Sequence, residues 1–351
     1  MTHPNDDDSS FDASTEKRPH WVRLRALFEM ARPEQVLLMA LVYALGVAAA
    51  VARGATPDLD HLGVAFAAFV PVALTIHYAN EYADYETDLL ADRTPFSGGS
   101  GALARTGLPR SLARRATLAS GLLSVVVVPG GFLGGLLSTA EVALLLAIGV
   151  LGVEYSHPPL ALAWRGVGAV DNAILGGLLL PAYGVLAASG SLGVGDFVPF
   201  VPFALLVFVN LLATTWPDRD PDAAVGKRTL VTRLSARTLR GLHIGGVVAA
   251  YGSLLVATGT VIPVSVTFAT LLALPFSVWG AVRYTRVRSP FPAVAAMVVA
   301  AAAQFLCVGC VRCLTARCSV SMLLRLLIPG LRLSSKAPPV DSRLFYNVRS
   351  L

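Results

Sequence analysis

Long apolar blocks, separated by short polar and mostly basic stretches, divide the chain from about residue 35 to residue 313. A helix that crosses the hydrocarbon core of a bilayer needs roughly 20 mostly apolar residues. Blocks at 35–53, 62–82, 113–136, 140–156, 167–188, 196–216, 238–259, 262–283 and 291–313 approach or meet that length. The stretches Gly121 to Leu137 and Phe197 to Thr215 carry no charged residue at all. One helix that is apolar all round can hide in a soluble core, but a series of nine cannot. The pattern predicts an all-α polytopic membrane protein with about nine transmembrane helices. Residues 1–18, with the run Asp6, Asp7, Asp8, lack the apolar content to order themselves and are expected to be disordered. Residues 19–33 place Trp21, Leu24, Leu27 and Phe28 among Arg23, Arg25 and Arg32, which predicts an interfacial amphipathic helix. No signal-peptide pattern begins the chain. Three regions follow: a tail and interfacial helix at 1–33, a transmembrane domain at 34–313 and an atypical C-terminal tail at 314–351.

Composition agrees. Hydrophobic residues make up 55% of the 351 and charged residues only 14%, where soluble domains carry about 25% charged. A disordered chain and a coiled coil are excluded. The net charge of +6 raises nucleic acid as a partner, but the basic residues flank membrane spans. Five precede the first span, and others fill alternate connections, such as Arg105, Arg110, Arg114 and Arg115, or Arg219, Lys227, Arg228, Arg233 and Arg237. The opposite connections carry only Arg53. The partner is therefore the lipid bilayer and not nucleic acid. The positive-inside rule predicts a multi-pass protein of the cell membrane, with its N-terminus and basic loops cytoplasmic.

The C-terminal segment breaks this pattern. It should emerge on the opposite face, yet it carries Arg312, Arg317, Arg325, Arg332, Lys336 and Arg343. All four cysteines, Cys307, Cys310, Cys313 and Cys318, also fall here. Their spacing superficially resembles an iron–sulfur run, but at the end of a lipid-facing helix they are expected to be free thiols. A tail out of register with the original reading frame is an alternative. Residues beyond about 315 are expected to be dispensable, with little ordered structure.

Two acidic clusters carry the candidate chemistry. Asn80, Glu81, Asp84 and Asp88 stand at the predicted cytoplasmic end of the second span, with Asn80, Asp84 and Asp88 spaced for one helix face. Asn210, Asp218, Asp220 and Asp222 stand at the corresponding end of the sixth. Even-numbered spans end on one side, so topology brings the clusters to a common face. Packed carboxylates near lipid repel one another and resist desolvation. Their oxygens suit a hard ion such as Mg2+, which prefers one or two carboxylates plus substrate phosphate oxygens. Arg93 follows the first cluster, and Lys227 and Arg228 the second, where they can neutralise phosphate charge. The alternative is a pair of solvated acidic loops.

The chain resembles the UbiA superfamily of intramembrane prenyltransferases. The family's N-D-x-x-D-x-x-x-D motif stands here as N80-E-Y-A-D84-Y-E-T-D88, with Glu81 in place of the first Asp. Its second motif stands as D218-R-D-P-D222-A-A-V-G226-K-R-T229. A third stretch, Y155-S-H-P-P-L160 followed by R165-G-V-G168, is similar to the family's Tyr-containing segment, although Ala169 replaces a frequent acid and Asp171 is out of register. The resemblance implies that the helices form a bundle around a central cavity, and it implies transfer from an isoprenyl diphosphate to an aromatic acceptor, with Mg2+ as cofactor. It implies Asp84, Asp88, Asp218 and Asp222 as catalytic metal ligands, completed by Glu81. Asn80, Arg93, Tyr155, Asn210, Lys227 and Arg228 are implied as substrate-binding residues. The glycine-rich loop Arg93 to Leu103 is similar to that of members that prenylate 1,4-dihydroxy-2-naphthoate for menaquinone, which points to a quinone precursor.

Other acceptors remain open: 4-hydroxybenzoate, a glycerol-phosphate lipid, chlorin or haem. A transporter would share the span count, but its acids would sit mid-span. A CDP-alcohol phosphotransferase would carry a D-G-x-x-A-R run, which is absent.

Overall fold

A computed structural model describes residues 19–315, and all extended elements within them are helices. The predicted disordered segment 1–18 and the tail from 316, with Cys318, lie outside the described residues.

Helix α1 (His20–Met30) meets α2 (Pro33–Ala52) at Arg32, whose left-handed backbone (φ 51°) turns the chain. Pro33 starts α2, where its missing N–H costs nothing. On α1, Trp21, Leu24 and Phe28 are each more than 60% exposed, while Ala26 and Met30 are buried. That division is the one expected of a helix lying in the membrane interface. Then come α3 (Leu59–Ala83), the short α4 (Tyr85–Leu90) and α5 (Ala102–Thr106), and α6 (Ser111–Leu133). A capping box of Ser138 and Glu141 opens α7 (Thr139–Glu154). Helix α8 (Gly168–Ser189) contains a π-helical turn at Leu175–Leu179, and α9 (Val194–Thr215) opens with a 3-10 turn. Short helices α10 (Arg219–Ala224) and α11 (Leu230–Arg233) lead to α12 (Ala236–Ala257). The chain continues through α13 (Val264–Leu271), α14 (Leu274–Arg283) and α15 (Phe291–Thr315).

The main contacts pair α2 with the second half of α8, α3 with α6 and α7, and α9 with α12 and the start of α8. Lipid gives helices no hydrophobic reason to associate, so close backbone approach at small residues takes that role. A Cβ on Gly46 would collide with the Pro181 carbonyl, and one on Gly184 with the Tyr43 carbonyl. Outward faces stay apolar: Leu118, Leu122, Leu123, Val125 and Val126 of α6 are all at least half exposed.

Among the described residues, seven helices are long and apolar enough to span a membrane, and α13 with α14 makes an eighth if that pair, bent by 41°, is one span. The expected fourth span is α7, whose 16 residues reach only about 24 Å at 1.5 Å per residue. It falls short of the roughly 30 Å hydrocarbon core. The eighth block of the sequence breaks at Leu272–Ala273, ahead of Pro275. Hydropathy registers apolar length and is blind to such breaks.

Candidate active site

Both acidic motifs form where a long helix frays into a short one. Helix α3 stops at Ala83, but backbone bonds from Asp84 N to Asn80 O (2.9 Å) and from Asp88 N to Asp84 O (2.8 Å) carry helical spacing through the break. Asn80, Asp84 and Asp88 therefore keep one face, as their spacing predicts. In the second motif Asp222 N bonds Asp218 O at 2.8 Å. Short helices α4 and α10, which carry Asp88 and Asp222, pack on each other, so the two motifs share one end of the bundle.

Lys227 joins them. Its Nζ donates to Asp84 Oδ1 at 2.8 Å and lies 3.6 Å from Asp222 Oδ1. Lys227 and Asp222 are both buried. Burial works against the lysine's charge, but Asp84 and Asp222 outweigh it and hold its pKa above the ordinary lysine range. The face of Trp164 lies 5.9 Å away, within reach of a cation–π contact. Arg228 donates its backbone N–H to Trp164 O, while its side chain is exposed.

The carboxylates are held against their own charge. Burial, reinforced by Asp84 and Glu81, pushes Asp88 up to about 8. Burial raises Asp222 to about 7 and Asp218 to about 6. Asp218 Oδ1, Asp222 Oδ1 and Asn210 Oδ1 are buried and make no hydrogen bond. Buried carboxylate oxygens without donors have to be met by a proton, a water or a cation. Among the described residues no three His, Cys, Asp or Glu side chains converge closely enough to hold a metal by themselves. Mg2+ suits such a donor set, because it takes few carboxylates and fills its shell with phosphate oxygens and water.

The glycine-rich loop closes over these acids. Gly98, Gly99 and Gly101 all have positive φ, a conformation that side chains other than glycine disfavour. Gly98 N points to Asp218 Oδ2 at 3.4 Å, and a Cβ on Gly99 would collide with Asp88 Oδ2. Arg93, exposed at the rim, donates from Nε to Gly99 O at 3.2 Å.

The remaining expected residues are placed as follows. Asn80 Oδ1 accepts from Ser156 Oγ at 2.6 Å, which ties the first motif to the segment after α7. The Tyr155 ring packs against Gly168 and feels the charges of Lys227, Asp84 and Asp222. Glu81, expected among the metal ligands, is 3% exposed with both oxygens engaged. Oε1 accepts from Arg32 Nη2 (2.6 Å) and from Ser100 N (2.8 Å), and Oε2 accepts from Ser100 Oγ (2.7 Å). Trp164, Ser156, Arg32 and Ser100 are absent from the sequence-level site. Trp164 and Ser156 lie near or in the Tyr155 segment and Ser100 lies in the glycine-rich loop, which could have flagged those three; nothing local pointed to Arg32. Asp171 is also buried with Oδ2 unbonded, and it contributes charge near Tyr155.

A family model for UbiA prenyltransferases matches residues 39–306. Among curated protein sequences none matches. Several solved structures share the fold. A UbiA homologue from Archaeoglobus fulgidus bound to DMAPP and Mg2+ is 19% identical, with a TM-score of 0.56, over 81% of this chain and 99% of that one. An apo UbiA homologue from Aeropyrum pernix K1 is 15% identical, with a TM-score of 0.59, over 79% of this chain and 98% of that one. A digeranylgeranylglyceryl phosphate synthase is 12% identical, with a TM-score of 0.56, over 82% of this chain and 97% of that one.

Proposed function

The chain belongs to the UbiA prenyltransferase family, and from that premise we propose that it transfers an isoprenyl group from a prenyl diphosphate to a membrane-accessible aromatic acceptor. The acceptor class we favour is a quinone precursor of the 1,4-dihydroxy-2-naphthoate kind. The observation that carries the proposal is the meeting of two acidic motifs, partly to fully buried, around one lysine, with carboxylate oxygens left without donors. Homologues from Archaeoglobus fulgidus bound to DMAPP or GPP with Mg2+ support the donor class. The glycine-rich loop at Arg93 to Leu103 supports the acceptor class.

In this proposal Asp84, Asp88, Asp218 and Asp222 hold Mg2+, which when bound neutralises diphosphate charge and assists its departure. Lys227 sets a fixed positive charge beside the leaving group, and Arg228 and Arg93 stand at the rim to meet phosphate oxygens. Asn80 and Asn210 present amide groups to the same end of the bundle. The C1–O bond of the donor breaks and its electron pair leaves with the diphosphate. We place the Tyr155 ring beside the resulting allylic cation, where its π-face would stabilise the charge. The acceptor ring then bonds C1 and loses a proton. On this reading the site opens to the cytoplasmic face of the cell membrane, where Mg2+ and prenyl diphosphates are soluble, and the basic connections of the sequence support that side.

The experiment is release of diphosphate and formation of a prenylated product in membranes holding the full chain. Geranyl, geranylgeranyl and longer diphosphates are each paired with labelled dihydroxynaphthoate, hydroxybenzoate and glycerol-phosphate acceptors. Mg2+-dependent product with dihydroxynaphthoate supports the proposal. Product with another acceptor alone overturns the quinone assignment, and no Mg2+-dependent turnover with any pair overturns prenyl transfer.

A further inference from the structure

Glu81 stands in the first acidic motif, yet none of its hydrogen bonds points towards the other acids. Arg32 approaches Oε1 with both Nη2 (2.6 Å) and Nε (3.0 Å), while Ser100 binds both carboxylate oxygens from the loop side. This pair is buried, at 14% and 3% side-chain exposure. Arg32 itself sits at the left-handed turn between α1 and α2. The end of α1 is fixed to α3 by Tyr78 Oη on Leu27 O (3.2 Å) and by His77 Nδ1 against Ala31 O (2.7 Å).

A second link runs parallel to the first. Arg105 Nη1 donates to Ser100 O at 3.1 Å, and its Nη2 donates to Glu29 Oε2 at 2.7 Å. Helix α1 packs on α5, the helix that follows the glycine loop. The loop is therefore gripped on one side by α1 and on the other rests against Asp88 and Asp218 through Gly99 and Gly98.

We propose that Arg32 and Glu81 form a positioning pair that seats the glycine-rich loop over the acidic site, so that Glu81 acts through Ser100 and not as a metal ligand. A buried Arg–Glu pair held by further hydrogen bonds fixes geometry, and removing one partner strands the other. Three of these contacts saturate Oε1 and Ser100 Oγ occupies one site of Oε2, which leaves a cation at most one position on this carboxylate. The extra methylene of Glu81 relative to aspartate lengthens its reach to Arg32. Because Trp21, Leu24 and Phe28 of α1 face outward, the pair also ties loop position to the seating of α1 in the interface. The inference rests on the prenyl-transfer proposal for its catalytic consequence, though not for its structural one.

The test compares Arg32→Gln, Glu81→Gln, Ser100→Ala and the double variant Arg32→Gln/Glu81→Gln in the full chain in nanodiscs. Amide hydrogen exchange over residues 93–107 is measured without substrate, and kcat, KM and the Mg2+ concentration for half-maximal activity are measured with it. Faster exchange of the loop, by about tenfold, is expected in each single variant, with the double variant no faster than the worse single one. kcat should fall by about 10- to 100-fold, the scale of a misplacement near 1 Å, while half-maximal Mg2+ stays within about twofold. Glu81→Asp should recover less activity than it would as a mere change of ligand, because its arm is too short for Arg32. The proposal is overturned if Arg32→Gln leaves exchange and turnover unchanged while Glu81→Gln raises the Mg2+ requirement. Should Arg32→Gln fail to insert, Ser100→Ala decides alone: unchanged loop exchange counts against the pair. Wild-type protein that lacks prenyl transfer would defeat the functional proposal, yet the exchange comparison would still test the pair.

Discussion

Lys227 Nζ donates to Asp84 Oδ1 at 2.8 Å, joining residues 143 positions apart in the chain. One motif supplies the acid and the other the basic residue, so the bond ties the end of α3 to the segment between α10 and α11. It also places a cation amid carboxylates that burial alone would drive towards their neutral forms.

Removing that cation should cost stability first and catalysis second. Lys227→Met leaves the buried Asp222 and the partly buried Asp84 without this cation, and breaking a fully buried pair costs about 3–5 kcal/mol, an upper bound here. Thermal unfolding in chelator is expected well below wild type, with Mg2+ restoring much of the difference. Equal melting of variant and wild type in chelator would count against the bridging role.

Asp84→Asn and Asp218→Asn are expected to lower turnover by at least about 100-fold, the scale on which electrostatic stabilisation of a transition state is lost. Membrane insertion should be intact, since both side chains lie at the polar end of the bundle. Labelled prenyl transfer beside a membrane yield assay checks both halves. Wild-type turnover in either variant at ordinary Mg2+ would defeat the assignment.

Acidity should tune metal dependence. Unfolded aspartates titrate near about 3.9, whereas Asp218, Asp222 and Asp88 are raised to about 6, 7 and 8. The folded protein thus binds more protons than the unfolded chain between about pH 4 and pH 8. These groups favour folding most below pH 4, and their support is lost as pH rises through that window. In chelator the melting temperature contribution of the site should fall from pH 6 to pH 8, and the increment gained on adding Mg2+ and diphosphate should grow. Scanning calorimetry or dye-free fluorescence at both pH values reads it, and an increment independent of pH would refute the expectation.

Two glycine substitutions should behave oppositely. Gly99→Ala needs φ near +60° and collides with Asp88 Oδ2, so activity should fall by about 100-fold or more. Gly245→Ala on α12 meets nothing within 4 Å and replaces a helical glycine, so it should be neutral or stabilise by about 0.5–1 kcal/mol. Activity and melting curves of the two variants side by side test the contrast.

How much of this was legible in the sequence depends on the range of each signal. Asn80, Asp84 and Asp88 were readable because an i, i+4 spacing is a local code for one helix face. The span limits were readable because hydropathy is local as well. The shortness of α7 was already visible in the apolar block 140–156, whereas the break before Leu274 falls below what a smoothed apolar pattern resolves. The pairing of Arg32 with Glu81, 49 positions away, and the approach of Lys227 to Trp164 arise from tertiary packing, which no spacing encodes. Glu81 was assigned by motif position, and only its neighbours reveal where its oxygens point.

The seam between α2 and α8 bears on how the bundle can deform. Where Gly46 meets the Pro181 carbonyl and Gly184 the Tyr43 carbonyl, backbone touches backbone. Ordinary helix pairs slide by trading rotamers across their interface, but these contacts have no rotamers to trade. The two helices form a stiff spine. Adjustments that a bilayer of different thickness demands then fall to other helices, and the pair α13–α14, already divided by a 41° bend, offers a joint at which to make them.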